Sequence, residues 1–250
     1  MLVANTKIPA FISVRSKSSR LPRKCFLPFG NVTVIEHIIL RALHYGLDPV
    51  ICTTEDQSDD EIIELAIKND VKFYRGPTEN KLLRWSLCCE HFGFSSFHTV
   101  DADDPFFDGD EVFRSYRLLK SGYDMVSPSP SSSDGGATVG YSLTADIVDK
   151  ATIGTSASLD TEMMWSYIER VKGLKKTILS DPENYIIKNR MTLDYYEDYV
   201  LLESVRLIAG NFATRKQIYK VLDNNKDLCK INSFRSEEWS ENQKIKSLDI

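Results

Sequence analysis

Five cationic side chains, Arg15, Lys17, Arg20, Arg23 and Lys24, fall within ten consecutive residues of a 250-residue chain whose formal net charge is −5. Guanidinium groups fork onto paired oxygens and an ammonium acts as a point charge. Such a local density of cations in an acidic protein suits a small anion rich in nonbridging oxygens, such as a triphosphate. Ser18, Ser19 and the backbone amides of the same stretch add hydrogen-bond donors. Downstream, DADDPFFDGDE gathers Asp101, Asp103 and Asp104. Carboxylates in that arrangement suit Mg2+, a hard cation that prefers oxygen ligands and keeps waters and phosphate oxygens in its shell. A further carboxylate, Asp194, lies in RMTLDYYEDY. Taken singly, these features read as a solvated basic turn, an acidic turn and a helix N-cap. Taken together they describe a metal–nucleotide site, provided that the fold brings them to one place.

The elements that must do so are visible in the hydrophobic pattern. IPAFISV (8–14) is apolar and β-rich, a buried first strand from which the basic segment leaves as a loop. TVIEHIILRALHYG follows as a helix, with Thr33 and Glu36 at capping-box spacing and Gly46 at its stop. DPVICTT reads as a strand, SDDEIIELAIKND as a helix with Ser58 and Glu61 as a second capping box, and VKFYR as a strand. A helix in ENKLLRWSLCCEHFG precedes the strand FHTVD, which runs into the acidic segment. Strands alternating with helices in this rhythm predict an α/β fold with a mostly parallel sheet covered on both faces. Ligands on such sheets sit beyond the carboxyl ends of the strands, where the basic loop and the acidic run both emerge.

Beyond residue 122 the pattern loosens. DMVSPSPSSSDGGATVGYSL reads as a mobile loop between two strands. LTADIVDKA and LDTEMMWSYIERVKG look helical, LKKTILS and IIKNRMTLD extended, and EDYVLLESVRLIAG and ATRKQIYKVLDNN helical. Asp194 therefore ends an expected strand. The tail from residue 226 to 250 reads as a loosely packed end. No repeat and no linker divides the chain, which predicts a single domain. Its nucleotide-binding part covers about 1–126, an acceptor or dimerisation part about 127–190, and a second metal-bearing strand with closing helices about 188–250.

Composition narrows the function classes. A mildly acidic chain argues against bulk nucleic-acid binding. No run approaches the roughly 18 apolar residues of a membrane helix, and the first residues lack a signal-type pattern, so the cytoplasm is the expected compartment. The five cysteines show neither CxxC spacing nor a Cys/His cluster, and are expected to be reduced structural thiols. His37, His44 and His98 read as packing or surface residues, as do Trp85, Trp165 and Trp239.

VRSKSSRLPRKCFLPFGNVTVIEHII, ICTTEDQSDDEIIELAIKNDVKFYRGPTENKLLR, VDADDPFF and RMTLDYYEDY together resemble the sugar-acid cytidylyltransferases. These are the synthetases of CMP-3-deoxy-manno-octulosonate and CMP-sialic acid, and especially the group like the spore-coat polysaccharide cytidylyltransferase. The similarity covers residues 8–126 and returns at 188–203; Arg15, Ser18, Arg20, Pro22 and Lys24 carry its most specific signature. The resemblance implies a Rossmann-like, GT-A-like nucleotidyltransferase fold, a three-layer sandwich with a mostly parallel mixed sheet. It implies CTP as substrate, Mg2+ as cofactor, a small acidic acceptor (a sugar acid or a phosphonate), a homodimer and a role in surface glycan synthesis. By the same resemblance Arg15, Ser18, Arg20 and Lys24 would hold the triphosphate, and Asp103 and Asp194 would ligate the metal. Arg75 would lie near the cytidine, and Asp101 stands where related enzymes often carry a base-contacting glutamine. Two other departures are Arg23, at a position usually glycine, and Met163, where a histidine is expected before an aromatic.

Two other readings share these features. A GT-A-type glycosyltransferase also combines such a sheet with a DxD and a metal. Its leaving group is a nucleoside diphosphate already neutralised at the DxD, so it has less need of five cations after the first strand. A catalytically degenerate nucleotide-binding protein would keep the fold and lose turnover, an option that Arg23 and Met163 keep open.

Overall fold

A computed structural model describes residues 7–18, 20–136 and 139–241. The first strand, β1 (Pro9–Ser13), is followed by the basic segment and a small hairpin of β2 (Pro28–Phe29) and β3 (Val32–Thr33). Then come α1 (Val34–His44), β4 (Asp48–Thr54), α2 (Asp60–Lys68), β5 (Lys72–Gly76), α3 (Lys81–Phe92), β6 (Ser96–Asp101) and α4 (Gly109–Lys120). The remainder holds β7 (Met125–Ser127), β8 (Ser142–Thr144), α5 (Ala145–Thr152), the short α6 (Met164–Ile168), β9 (Lys176–Ile178), α7 (Tyr196–Ala209), α8 (Arg215–Asn224) and α9 (Lys226–Ser233).

Seven strands form one sheet in the order β5-β4-β1-β6-β8-β7-β9. β5, β4, β1 and β6 are mutually parallel, β8 runs antiparallel to both its neighbours, and β9 is parallel to β7. The expected mostly parallel α/β sheet is therefore present. Successive side chains of a strand point to opposite faces, and β1 shows what this does. Ala10 and Ile12 enter a core with α1, α2, α7 and α8, while Phe11 enters a second core with α3, α5 and α6. Helices cover both faces, giving three layers. No helix among the described residues is long and apolar enough to cross a membrane.

Several local expectations need correction. Thr33 caps α1 by accepting the Glu36 amide at 3.3 Å, but the Glu36 carboxylate turns to Lys68 at 2.7 Å instead of closing the box. The Ser58–Glu61 box does not form. Asp56 caps a 3-10 turn over Gln57–Asp59 ahead of α2, and Glu61 points to Arg23. The loop expected between two strands contains a turn of π-helix, Ser132–Gly136, anchored by its buried Ser132 hydroxyl on the Val139 carbonyl at 2.8 Å. IIKNRMTLD is irregular and not a strand, because its amides pair outside the sheet: Met191 with the Gly135 carbonyl and Leu193 with the Asp103 carbonyl, at 2.9 and 2.7 Å. Helix α4 was not expected. Asp108 caps it from within the acidic run and is also paired with the buried Arg215.

His37 and His98 are core residues. His37 Nε2 donates to the Pro105 carbonyl at 3.0 Å among Phe29 and Phe106, and His98 Nδ1 faces the Ser142 hydroxyl at 2.8 Å. Burial depresses the His37 pKa to about 4 and the His98 pKa to about 3. Both imidazoles stay neutral in the fold, whereas an unfolded chain protonates them near 6.5, so the unfolded state binds more protons at acid pH. Stability is thus fully present above about pH 6.5 and falls as pH drops toward 4, by about 3 kcal/mol for His37 alone. Urea unfolding between pH 7 and pH 4.5 is expected to show this slope, and His37→Gln to reduce it by about half, His98 supplying the rest.

Candidate nucleotide site

The geometry of the site begins in the sheet register. In the parallel pairing of β1 with β6, Ser13 lies opposite Asp101, so the basic loop and the acidic run leave neighbouring strands at the same level and the same end. The Trp85 indole steadies this edge by donating to the Ser13 hydroxyl at 2.9 Å. Asp59, buried and unremarked in the sequence, ties the start of the loop down. Its carboxylate accepts the Ser16 amide at 2.7 Å and the Thr53 and Thr54 hydroxyls at 3.2 and 2.5 Å.

The five cations then divide. Lys17 pairs with Asp56 at 2.5 Å and Arg23 forks onto Glu61 at 3.1 and 2.8 Å, both on the exposed side. Arg15 leans toward Glu162 at 3.6 Å and Glu79 at 4.0 Å. Arg20 and Lys24 turn inward. Lys24 Nζ donates to Asp103 Oδ2 at 2.7 Å, to Asp194 Oδ1 at 2.9 Å and to the Leu193 carbonyl at 2.7 Å. Arg20 joins the same Asp194 oxygen at 2.8 Å. Two cations and two carboxylates from three separate segments thus meet at one point.

Burial dominates the electrostatics here. It opposes the Lys24 ammonium, but Asp103 and Asp194 outweigh it and hold the Lys24 pKa above its usual value. Burial also pushes Asp103 upward, helped by the charges of Asp194 and Asp101 and opposed by Lys24. Asp104 is held well above the ordinary carboxylate range by burial and by Asp103 and Asp101. At Asp194 burial is overcome by Lys24 and Arg20, and the carboxyl stays below its usual value.

These groups line a cavity of about 810 Å³, in which Arg15, Ser18, Arg20, Lys24, Asp101, Asp103 and Asp194 all take part. Ser19 lies outside the described residues. Arg75 is not brought to the cavity: its guanidinium is consumed by the Thr54 and Asp56 carbonyls at 2.9 and 2.8 Å and by Asp60 at 2.7 Å, bracing β5 against the turn before α2. Asp101 is paired with Lys81 at 3.5 Å, and the Lys81 ammonium also lies 5.2 Å from the centre of the Trp85 ring. Met163 is the N-cap of α6, and it lines the cavity with Glu162 and Trp165.

A residue that pattern reading passed over holds this arrangement. Asp198, fully buried, accepts the amides of Asp194 and Tyr195 at 2.9 and 2.8 Å, and it also takes the Arg190 guanidinium and the Asn232 amide. It sets the backbone on which Asp194 stands; its one sequence signal was its position in the first turn of a helix after Asp194. Arg23 adopts φ 56° and ψ 27°, the left-handed region that explains the glycine usual at this position, and its ion pair to Glu61 and its stacking on Phe26 offset the strain.

Among the described residues no three or more His, Cys, Asp or Glu side chains form a ready-made metal cage. The donor set nevertheless fits Mg2+, which is commonly bound by one or two carboxylates together with substrate phosphates. Asp103 and Asp194 present hard oxygens to a single point, and the Asp103 carboxylate accepts one side-chain bond among its four lone-pair positions, leaving acceptor capacity for a cation.

The mostly parallel sheet, with a basic loop after β1 and an acidic run after β6, is a Rossmann-like α/β fold. The fold is shared with a cytidylyltransferase from Leptospira borgpetersenii, with a TM-score of 0.79 at 21% identity over 89% of this chain and 96% of that one. Residues 10–127 match the cytidylyltransferase family, so the resemblance read from the sequence holds over the segment that carries both the basic loop and the acidic run. An uncharacterized protein of Methanocaldococcus jannaschii is 26% identical over 237 residues, 91% of this chain and 95% of its own length. The spore coat polysaccharide biosynthesis protein SpsF of Bacillus subtilis is 25% identical over 229 residues, 86% of this chain and 94% of its own.

Two expectations follow from the charge cluster and its loop. Lys24→Met leaves Asp103 without its cation and Asp194 with Arg20 alone, and a loss of about 3 kcal/mol in urea unfolding is expected, partly restored by millimolar MgCl2. Arg23→Gly is expected to melt no lower than the parent protein. Arg23→Ala, which keeps the left-handed backbone and loses the ion pair, is expected to melt lower in the same calorimetric scan.

Proposed function

We propose that the protein transfers CMP from CTP to a small acidic acceptor and releases pyrophosphate. One observation carries this reading: Lys24 bridges Asp103 and Asp194 with Arg20 alongside, so anion-binding and cation-binding groups are interleaved at the ends of neighbouring strands. The cations rest on the carboxylates in the structure. With nucleotide present, the partners exchange. Arg20 and Lys24 turn to the phosphate oxygens, Arg20 as a fork and Lys24 as a point charge, while Ser18 and the loop amides donate from the side. Asp103 and Asp194, released from their cations, are the residues that would hold Mg2+. When bound, that ion supplies positive charge that neutralises the phosphates and makes the α-phosphorus a better electrophile.

An acceptor oxygen, already anionic or having given its proton to solvent, attacks the α-phosphorus in line; the new oxygen–phosphorus bond forms as the bond to the β-phosphate breaks, and pyrophosphate leaves with the electron pair. Such chemistry draws on positioning and charge stabilisation more than on covalent help from the protein. Arg20 and Lys24 stabilise the charge that gathers on the departing group. The far end of the cavity, with Arg15, Lys81, Arg84, Glu162 and Trp165, is left for base and acceptor. Lys81 and Arg84, both largely buried there, favour an acceptor bearing an acid group, and the name of the Bacillus relative supports a role in spore coat polysaccharide synthesis.

Calorimetry with CTP, ATP, GTP and UTP in MgCl2, followed by a pyrophosphate-release screen over octulosonate, nonulosonic acids and phosphonates such as 2-aminoethylphosphonate, tests this reading. Selective CTP binding with acceptor-dependent release is expected; binding of a UDP-sugar in its place overturns it. Asp103→Ala is expected to lower kcat by about 10²–10³-fold or more while CTP still binds. Near-parental release by that variant would refute the assignment of Asp103.

A further inference from the structure

Trp239 lies on the segment that follows α9, in the tail read from the sequence as a loose end. That segment is instead fastened around the support of Asp194. Asn232 donates from α9 to the Asp198 carboxylate and to the Arg190 carbonyl, both at 2.9 Å. Arg235 pairs with Glu197 at 3.0 Å and lies 5.0 Å from the Tyr195 ring centre. At the end of this arm the Trp239 indole Nε1 donates to Asp194 Oδ2 at 2.9 Å. The far edge of the ring lies against Gly135, where an added Cβ would come within 3.5 Å of it.

Two features separate this contact from ordinary packing. Trp85, a packing residue, is fully buried and donates to a neutral hydroxyl, whereas Trp239 is half-buried, lines the cavity and donates to a site carboxylate. The contact is also made on the edge of Asp194 opposite to the cations: Oδ1 takes Lys24 and Arg20, and Oδ2 takes Trp239. A carboxylate held from one edge can swing about its terminal torsion, while one held from both edges presents a fixed oxygen toward Asp103.

We propose that Trp239 is a positioning residue for Asp194, and that the arm Arg235–Glu241 forms a working wall of the nucleotide cavity. The inference rests on reading Asp103 and Asp194 as the divalent-cation site. It assigns the indole N–H the task of keeping Asp194 aimed when Lys24 and Arg20 leave it for phosphate. Outer partners of metal-ligating groups typically matter by about 10–100-fold in metal affinity or activity.

The experiment uses the full chain and Mn2+ alone as probe, titrated calorimetrically into the parent protein and into Trp239→Phe, which keeps an aromatic ring and removes the donor. A rise in the Mn2+ Kd of about tenfold is expected with a melting temperature within ~2 °C of the parent, and about a tenfold fall in kcat with the KM for CTP within about twofold. An unchanged Kd and kcat overturns the proposal, as does a lower melting temperature with Mn2+ affinity intact, which would leave Trp239 a packing residue only. Should Trp239→Phe fail to fold, Arg235→Ala frees the arm while sparing the indole; weaker Mn2+ binding sustains the proposal and unchanged binding refutes it. Mn2+ affinity is read without nucleotide. A chain whose metal binding depends on Trp239 but which releases no pyrophosphate refutes the transferase reading alone, and a chain that turns over CTP regardless of Trp239→Phe refutes this inference alone.

Discussion

A single ammonium group organises the site. Lys24 Nζ is bound at once to the acidic run after β6, to Asp194 and to the carbonyl beside Asp194. These partners are separated by 79 and 170 residues in the chain, so the interaction defines the site's tertiary structure and not merely its charge. Removing a charge from water is costly unless its partners are close and well aligned, and here three acceptors lie within 2.9 Å. The supporting contacts keep the donor and its acceptors in place: Asp59 under the basic loop, Asp198 under Asp194, and the register of β1 against β6.

Much of this was readable from residue order. The alternation of strand and helix to residue 101 reports burial directly, because a strand covered on both faces must be apolar throughout while its covering helices need only a stripe. The convergence of Arg20 and Lys24 with Asp103 follows from the same logic, since neighbouring parallel strands deliver their outgoing loops to one end. Capping motifs were less dependable. Ser58 and Glu61 had the right spacing, yet Arg23 competes for Glu61 and Asp56 caps the preceding turn, contacts that no local pattern contains.

The remainder depends on long-range partners. Residues 186–194 are apolar enough for a strand, but their amides are satisfied by Gly135 and Asp103, so they never join the sheet. Arg75 sits where a nucleotide contact was expected and is instead consumed in bracing β5. The tail is polar and lacks a strong stripe, which hid a segment whose hold on the structure is a few directed hydrogen bonds and not a broad apolar face. Ordering through polar contacts leaves little trace in hydrophobic periodicity.

The basic loop also carries its own counter-ions. Lys17 faces Asp56, Arg23 faces Glu61, and the inner pair faces Asp103 and Asp194. Because these four cations already sit against carboxylates, their field is small at distances beyond the Debye length of roughly 8 Å at physiological ionic strength. An anion approaching this loop would therefore be drawn in weakly from a distance, and to bind it would have to displace carboxylates already in contact with the cations. A loop neutralised in this way takes up passing anions less readily than an open basic patch would.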